Sequence, residues 1–426
     1  MKKIRELVCF ILCFSILMCM GCPLYSVPKE YIENLKLKDS MKPFDHLLEN
    51  LDEAPLVIAM PCYVTRHLWG NKNYKEKGDE RVGDMIVAID TKTNTMYDWV
   101  FFPGDHRFSE ARIPEIGTPR KYYHASRNVD EMACLDPSTG KLDIIKTPTY
   151  YGNHVFLTDK QKGLLVDSPR QLDMCLHIFD TSQTPLKMHK PIELLDANFI
   201  TLFNRRIYAD PDGNFWFAYE ERGNYVNHLV KVDTETGTVH EYLTNPTEEG
   251  NNRYSYLVKY VDNDYVLIDH NKLGTDIDYE HEVCIVDKKN LQEDASENKI
   301  DKKATISFES EGKVLKIQNI TKVAGEYYVQ FVSLSENNKD EIYFYKIVDI
   351  DTDAPRLEYV TNFDFGIYVY DLWVRGTKIY VMNSRSFSDV SFCYYDVATN
   401  TLSDTFRLNI IQIGEAWDAE LAASKK

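Results

Sequence analysis

The sequence predicts an all-β chain folded as a single β-propeller of about seven blades, with six or eight as the adjacent counts and short helices only at the termini. The first observation is a repeat. Seven times an apolar strand runs into an Asp-led turn and then into a second strand, the turns beginning at Asp90, Asp136, Asp180, Asp233, Asp287, Asp351 and Asp396. The six gaps between them run from 44 to 64 residues, the period of propeller or solenoid units. The second observation is composition: 28 Tyr and 20 Phe among 426 residues suit the pleated, half-buried surface of strands. The third is physical. One such blade cannot bury both faces of its sheet, so blades must stack, and closing the stack into a ring removes exposed strand edges.

The elements follow in order. Residues 1–21 read as a signal peptide: Lys2, Lys3 and Arg5 precede an apolar run from Leu7 to Met20, which is short for a membrane span. The run ends in Gly21-Cys22, which resembles a bacterial lipobox, although Cys19 stands where that motif usually has an aliphatic residue. The resemblance implies a lipidated Cys22 as the first mature residue. Residues 22–53 then form a tether and a short helix with Phe44, Leu47, Leu48 and Leu51 on one face. Residues 54–409 are the propeller. Each repeat has an earlier strand before its Asp hairpin: Leu56–Met60, Lys121–Ser126, Gly163–Asp167, Asn214–Tyr219, Asp264–Asp269, Glu326–Val332 and Lys378–Asn383. Residues 288–303 are charged and read as a solvated hairpin extension. Residues 410–426 are a C-terminal tail.

Charge excludes some partners. The net charge is −17, and removing the net +2 of residues 1–21 leaves −19. Phosphate binding and polybasic membrane contact both require the opposite sign. The expectation is therefore no nucleic acid, and membrane contact through the lipid anchor only. Of nine cysteines, Cys134, Cys175, Cys284 and Cys393 fall two to five residues before a hairpin Asp and read as small buried hydrophobes.

The segment from Asp210 to Asn245 (DPDGNFWFAYEERGNYVNHLVKVDTETGTVHEYLTN) resembles a blade of the streptogramin B lyase group and of the related sensor propellers. Its DG turn, aromatic strand with Trp216 and Asp-x-x-TG hairpin carry the likeness, over about 36 residues. Gly213 suits a tight turn of positive φ, and Asp233 can bond its own turn backbone. The segment VAIDTKTNTMYDW, ending at Trp99, resembles a pyrroloquinoline-quinone-type repeat. The likeness implies a propeller fold, which with the lipobox resemblance gives a bacterial β-propeller lipoprotein, and it does not extend to the lyase's chemistry. That chemistry would need His before the DG turn and Glu at the third position after Trp. Here Arg205-Arg206-Ile207-Tyr208 precede the turn, and Tyr219 holds the Glu place.

Candidate ligand-binding residues are His67, Trp69, His106, His124 and His154, which sit near strand ends at comparable points, with Tyr208 and Trp216 from the best-preserved blade. Such a ring suits a ligand in a central funnel. His270, Asp276, Asp278, Glu280, His281 and Glu282 crowd one loop; their types suit a divalent metal, but the irregular spacing reads as a solvated acidic edge. Asp349, Asp351 and Asp353 start like a calcium loop, but Ala354 replaces the required Gly. No metal, no cofactor and no catalytic residue are expected. The sequence reads as an exported, monomeric, envelope-anchored binding or protein-interaction module, facing the periplasm or the exterior, for an unknown protein or small ligand. The alternatives are a metal-dependent lyase or lactone hydrolase, and an envelope-assembly scaffold.

Overall fold

The computed structural model describes the strands and tight turns between residues 56 and 409. Residues 1–55, 65–79, 104–121, 195–206, 274–281, 292–301 and 410–426, with shorter connecting stretches, lie outside the described residues. The signal, Cys22, the tether and the terminal helices therefore lie outside them too.

Seven antiparallel sheets follow one another along the chain. The first holds β1 (Leu56–Val64), β2 (Glu80–Asp90) and β3 (Thr95–Pro103). The second holds β4 (Tyr122–Ala125), β5 (Glu131–Asp136) and β6 (Lys141–Lys146). The third holds β7 (Gly152–Leu157), β8 (Lys162–Asp167), β9 (Met174–Asp180) and β10 (Ile192–Leu194). The fourth holds β11 (Tyr208–Ala209), β12 (Phe215–Glu220), β13 (Asn227–Val232) and β14 (Val239–Asn245). The fifth holds β15 (Arg253–Val261), β16 (Tyr265–Leu273), β17 (Glu282–Asp287) and β18 (Lys302–Thr305). The sixth holds β19 (Val314–Val323), β20 (Glu326–Leu334), β21 (Glu341–Val348) and β22 (Arg356–Asp364). The seventh holds β23 (Val369–Arg375), β24 (Lys378–Ser386) and β25 (Asp389–Asp396), with β26 (Thr401–Leu402) and β27 (Phe406–Asn409) both pairing with β25. Successive strands pair within each sheet, and the second to seventh sheets pack face to face in order. This is a β-propeller.

The core lies between blades, because each strand sends alternate side chains to opposite faces. Phe215, Phe217 and Tyr219 pack with Phe156, Leu164, Val166 and Leu176 of the third blade. Trp216 and Ala218 pack with Tyr256, Val258, Ile268 and Cys284 of the fifth. The same alternation joins the second blade to the third, the fifth to the sixth and the sixth to the seventh. Gly163 shows how tightly the third blade is filled, for it pairs with Phe179 across β8 and β9. A Cβ there would lie 2.1 Å from Cζ of the buried Phe179 ring, so only glycine fits.

The repeated Asp has the expected work. The Oδ1 atoms of Asp180, Asp233, Asp287 and Asp396 accept backbone N–H bonds from the residue two along, at 2.9–3.0 Å. Gly213 has φ +90°, and its N–H closes the turn onto Asp210 O at 2.9 Å. Two sequence readings need correction. In the sixth blade the strand ends at Val348, so the hairpin place belongs to Asp349 and not Asp351. The sequence VDIDTDAP offers two Asp of the same parity, and strand length alone separates them. Residues 288–303 are more than a solvated extension. Lys288–Asn290 form a 3-10 turn, Leu291 packs on the core and Lys302–Thr305 pair with β17.

One core histidine links stability to pH. His177 on β9 is 1% exposed, and among the described residues neither ring nitrogen has a hydrogen-bond partner. Burial lowers its pKa below the usual 6.5. A depressed histidine favours the neutral folded form, so its contribution is full above about 6.5 and drains as pH falls toward the folded value. His177→Leu should therefore flatten the stability loss as pH falls below about 6.5, as measured by urea midpoints. An unchanged pH slope would show that His177 is not its source.

Candidate functional site

The meander divides the propeller into two faces. In the fourth and sixth blades the first-to-second and third-to-fourth links are short turns at one end of the sheet; the third and fifth blades keep the short first-to-second turn there, with longer third-to-fourth links. At the other, connector end of each of these sheets the second strand finishes and the third begins. Loops that carry specificity sit on rigid scaffolds in this way.

The turn face is a belt of latches between blades. Asp210, 6% exposed, accepts N–H bonds from Asn214 N at 2.9 Å and Trp216 Nε1 at 2.8 Å. Lys288 Nζ reaches across from the fifth blade, 3.3 Å from Asp210 Oδ2 and 2.5 Å from Asp262 O. It also lies 4.8 Å from the Trp216 ring centroid. Burial pushes the Asp210 carboxyl up, but the Trp216 and Asn214 bonds and the Lys288 charge outweigh it and hold the pKa below the usual value. The motif repeats one blade on. Asp262 Oδ2 accepts from Lys322 Nζ at 2.7 Å and Tyr327 OH at 2.5 Å. Tyr265 OH donates to Asp351 Oδ1 at 2.5 Å. These groups satisfy one another, and they read as structural.

The connector face differs. Within each of three successive blades a glutamate meets aromatic and amide or imidazole groups of the same sheet. In the fourth blade Tyr219 OH lies 3.1 Å from Glu241 Oε1, and the His228 ring stacks on Tyr219 at 4.7 Å with its Nδ1 3.4 Å from Glu241 Oε2. The bond from His228 holds Glu241 below the ordinary glutamate range, against the opposing effect of burial. In the fifth blade His270 Nδ1 lies 2.9 Å from Glu282 Oε2, with the Tyr256 ring 5.2 Å from the imidazole. Here the sequence reading is corrected again. His270 and Glu282 do not share a loop: they face each other across paired strands β16 and β17. In the sixth blade Tyr343 OH donates to Glu341 Oε2 at 2.5 Å, and Asn362 Nδ2 donates to Glu341 Oε1. Tyr359, 52% exposed, donates to Asn362. Glu241, Glu282 and Glu341 all keep partial solvent contact.

The residues expected to bind a ligand are distributed as follows. His67, Trp69 and His106 lie outside the described residues. His124 is on β4 opposite Ala133, and His154 is on β7 beside an irregularity that leaves Asn153 unpaired. Trp216 is 3% exposed, stacked on Tyr242 at 5.5 Å and committed to Asp210. Tyr208 is half-buried against the same cluster. Trp216 and Tyr208 thus stand near the turn face, away from the connector clusters. The sequence reading missed Glu241, Glu341, Tyr343 and Asn362. One signal was available: a polar residue, Asn227, Glu282 or Glu341, opens the apolar run that leads to the hairpin. Cys134, Cys175, Cys284 and Cys393 are all buried, and none of them is in a disulfide.

No protein-family model matches the chain, and no curated protein matches it. Solved structures do resemble it. A candidate 6-phosphogluconolactonase from Bacteroides fragilis is 13% identical with a TM-score of 0.49, covering 83% of this chain and 96% of that one. The periplasmic gluconolactonase of Pseudomonas aeruginosa is 10% identical with a TM-score of 0.47, with the same coverage, 83% and 96%. The β-propeller domain of the trilobed protease from Pyrococcus furiosus is 11% identical with a TM-score of 0.46, covering 83% and 92%. At these scores the fold rests on this chain's own sheets.

Proposed function

We propose that the chain is an exported, lipid-anchored propeller that binds an extended, neutral or cationic ligand on its connector face. One observation carries this reading: the glutamate clusters with Tyr, His and Asn that recur within three neighbouring blades. Half-buried carboxylates, amides and aromatic groups bind hydroxyl-rich or basic ligands such as oligosaccharides or peptides. The net charge of −17 opposes anionic ligands by long-range repulsion. The rigid disc holds the groups in place, so binding costs little ordering. Cys22 supplies the anchor, since a lipidated N-terminal cysteine carries more than one acyl chain and so gives stable attachment.

The test uses the mature chain, soluble as Cys22→Ala, against neutral oligosaccharides, basic peptides and sugar lactones. Saturable binding to a neutral or basic ligand is expected, weakened about tenfold or more by Glu241→Gln or Glu341→Gln. Turnover of a lactone would replace the binding reading with the hydrolase. Binding that both variants leave unchanged would move the site off this face. Unchanged membrane fractionation of Cys22→Ala would remove the anchor.

A further inference from the structure

We propose that His270, Glu282 and Cys284 form a binding site for a divalent cation of the zinc class. Their ligand atoms all lie within 4.8 Å of one another, and His270 Nδ1 is 2.9 Å from Glu282 Oε2. Ligands about 2.0–2.3 Å from a tetrahedral zinc stand roughly 3.3–3.7 Å apart, so small side-chain adjustments close the site.

The arrangement follows from the sheet. His270 opposes Glu282, and Ile268 opposes Cys284, on strands β16 and β17. Residues two apart on β17 share a face, so Glu282 and Cys284 flank His270 from one strand. Cys284 is 0% exposed, packed with Tyr256, Ile268 and Val286. The His270 and Glu282 side chains are 11% and 20% exposed, which leaves a route in from the connector end. The Tyr256 ring, 5.2 Å from the imidazole, limits its rotation.

Charge supports a divalent ion. A neutral imidazole, a carboxylate and a thiolate bring two negative charges, which a 2+ ion cancels, and a buried site favours neutrality. The thiol must lose its proton to bind, so uptake releases one proton to solvent. Sulfur and nitrogen donors select zinc or its d-block neighbours over magnesium and calcium, which prefer oxygen. The adjacent Asp269 does not add to the set. Its neighbours across the sheet, Leu257 and Val283, include core of the opposite interface, and its Oδ2 lies 3.6 Å from Lys259 Nζ.

The inference is separate from the binding-module reading, and its test uses the metal alone. The mature chain is titrated with zinc and with cobalt(II), following stoichiometry, proton release and melting temperature. One equivalent should bind, with one proton released and a melting temperature raised by a few degrees. Cobalt should show a thiolate charge-transfer band that Cys284→Ser abolishes. His270→Ala and Glu282→Gln should each weaken binding at least about tenfold, roughly the loss of one charge-assisted ligand. If the His270 variant folds poorly, Glu282→Gln still decides, because it keeps a hydrogen-bonding partner for His270 while removing the ligand charge. Absence of binding, binding without the sulfur band, or a band that survives Cys284→Ser would overturn the site and leave an ordinary His–Glu pair beside a packed cysteine.

Discussion

Phe331→Ala is expected to lower the unfolding free energy by about 3–5 kcal/mol, the usual cost of truncating a fully buried phenylalanine. Phe331 is 0% exposed on β20 and lies between the fifth and sixth blades with Ile317, Val329 and Tyr345. The Tyr345 ring meets it edge-on at 5.4 Å, an arrangement aromatic quadrupoles favour. Rigid strands on both sides cannot collapse into the space, so the cavity term adds to the lost burial. Blades are stable only through their neighbours, so the loss should loosen a whole interface. Hydrogen exchange should therefore accelerate across β17, β20 and β21 together. Phe331→Leu should cost much less. A urea midpoint that Phe331→Ala leaves within error would mean that this interface does not hold the fold.

Asp210→Ala is expected to cost about 3 kcal/mol, as the loss of a buried, charge-assisted acceptor. The substitution leaves three donors short at once: Asn214 N–H, Trp216 Nε1–H and part of Lys288 Nζ. Lys288 is then a cation with only a carbonyl, Asp262 O, on its other side. Asp210→Asn keeps an acceptor and should cost less. Asp210 has a depressed folded pKa, so its stabilisation is complete above the unfolded value of 3.8. It should drain as pH falls below that and through the folded value. The gap between wild type and Asp210→Asn should therefore close in acid. A gap that stays constant down to acid unfolding would show that the carboxylate's charge contributes nothing.

Much of the architecture was legible because it is written in local chemistry. All seven earlier strands expected from the sequence are the strands that precede the hairpin strand, from β1 and β4 to β24. The apolar runs and Asp turns announce themselves, since strand period and Asx turns are short-range properties. The first strands of the third to seventh blades were not among those expected. Four of them carry a bulge, at Asn153 of β7, Lys259 of β15, Gln318 of β19 and Tyr370 of β23. A bulge adds one residue and inverts the alternation beyond it, so no single period spans the strand. Lys259 also reads as a surface residue, yet it is 6% exposed and donates to Ile317 O at 2.8 Å.

The clusters divide in the same way. From sequence, Trp216 and Tyr208 looked like ligand contacts because aromatic residues beside a turn suit either a site or a core. Only the packing of the fourth blade on the fifth commits Trp216 to Asp210 and places Lys288 over its ring. Likewise 11 residues of chain separate His270 from Glu282, and nothing local says that they meet. The sequence by itself determined the repeat, the strand and turn chemistry and the acidic charge, all of which depend on neighbours along the chain. The tertiary structure alone decided which face carries the glutamate clusters, which lysines latch the blades and that His270, Glu282 and Cys284 converge. Those outcomes depend on strand register and on blade-to-blade contact, where one residue of slip would turn every side chain to the opposite interface.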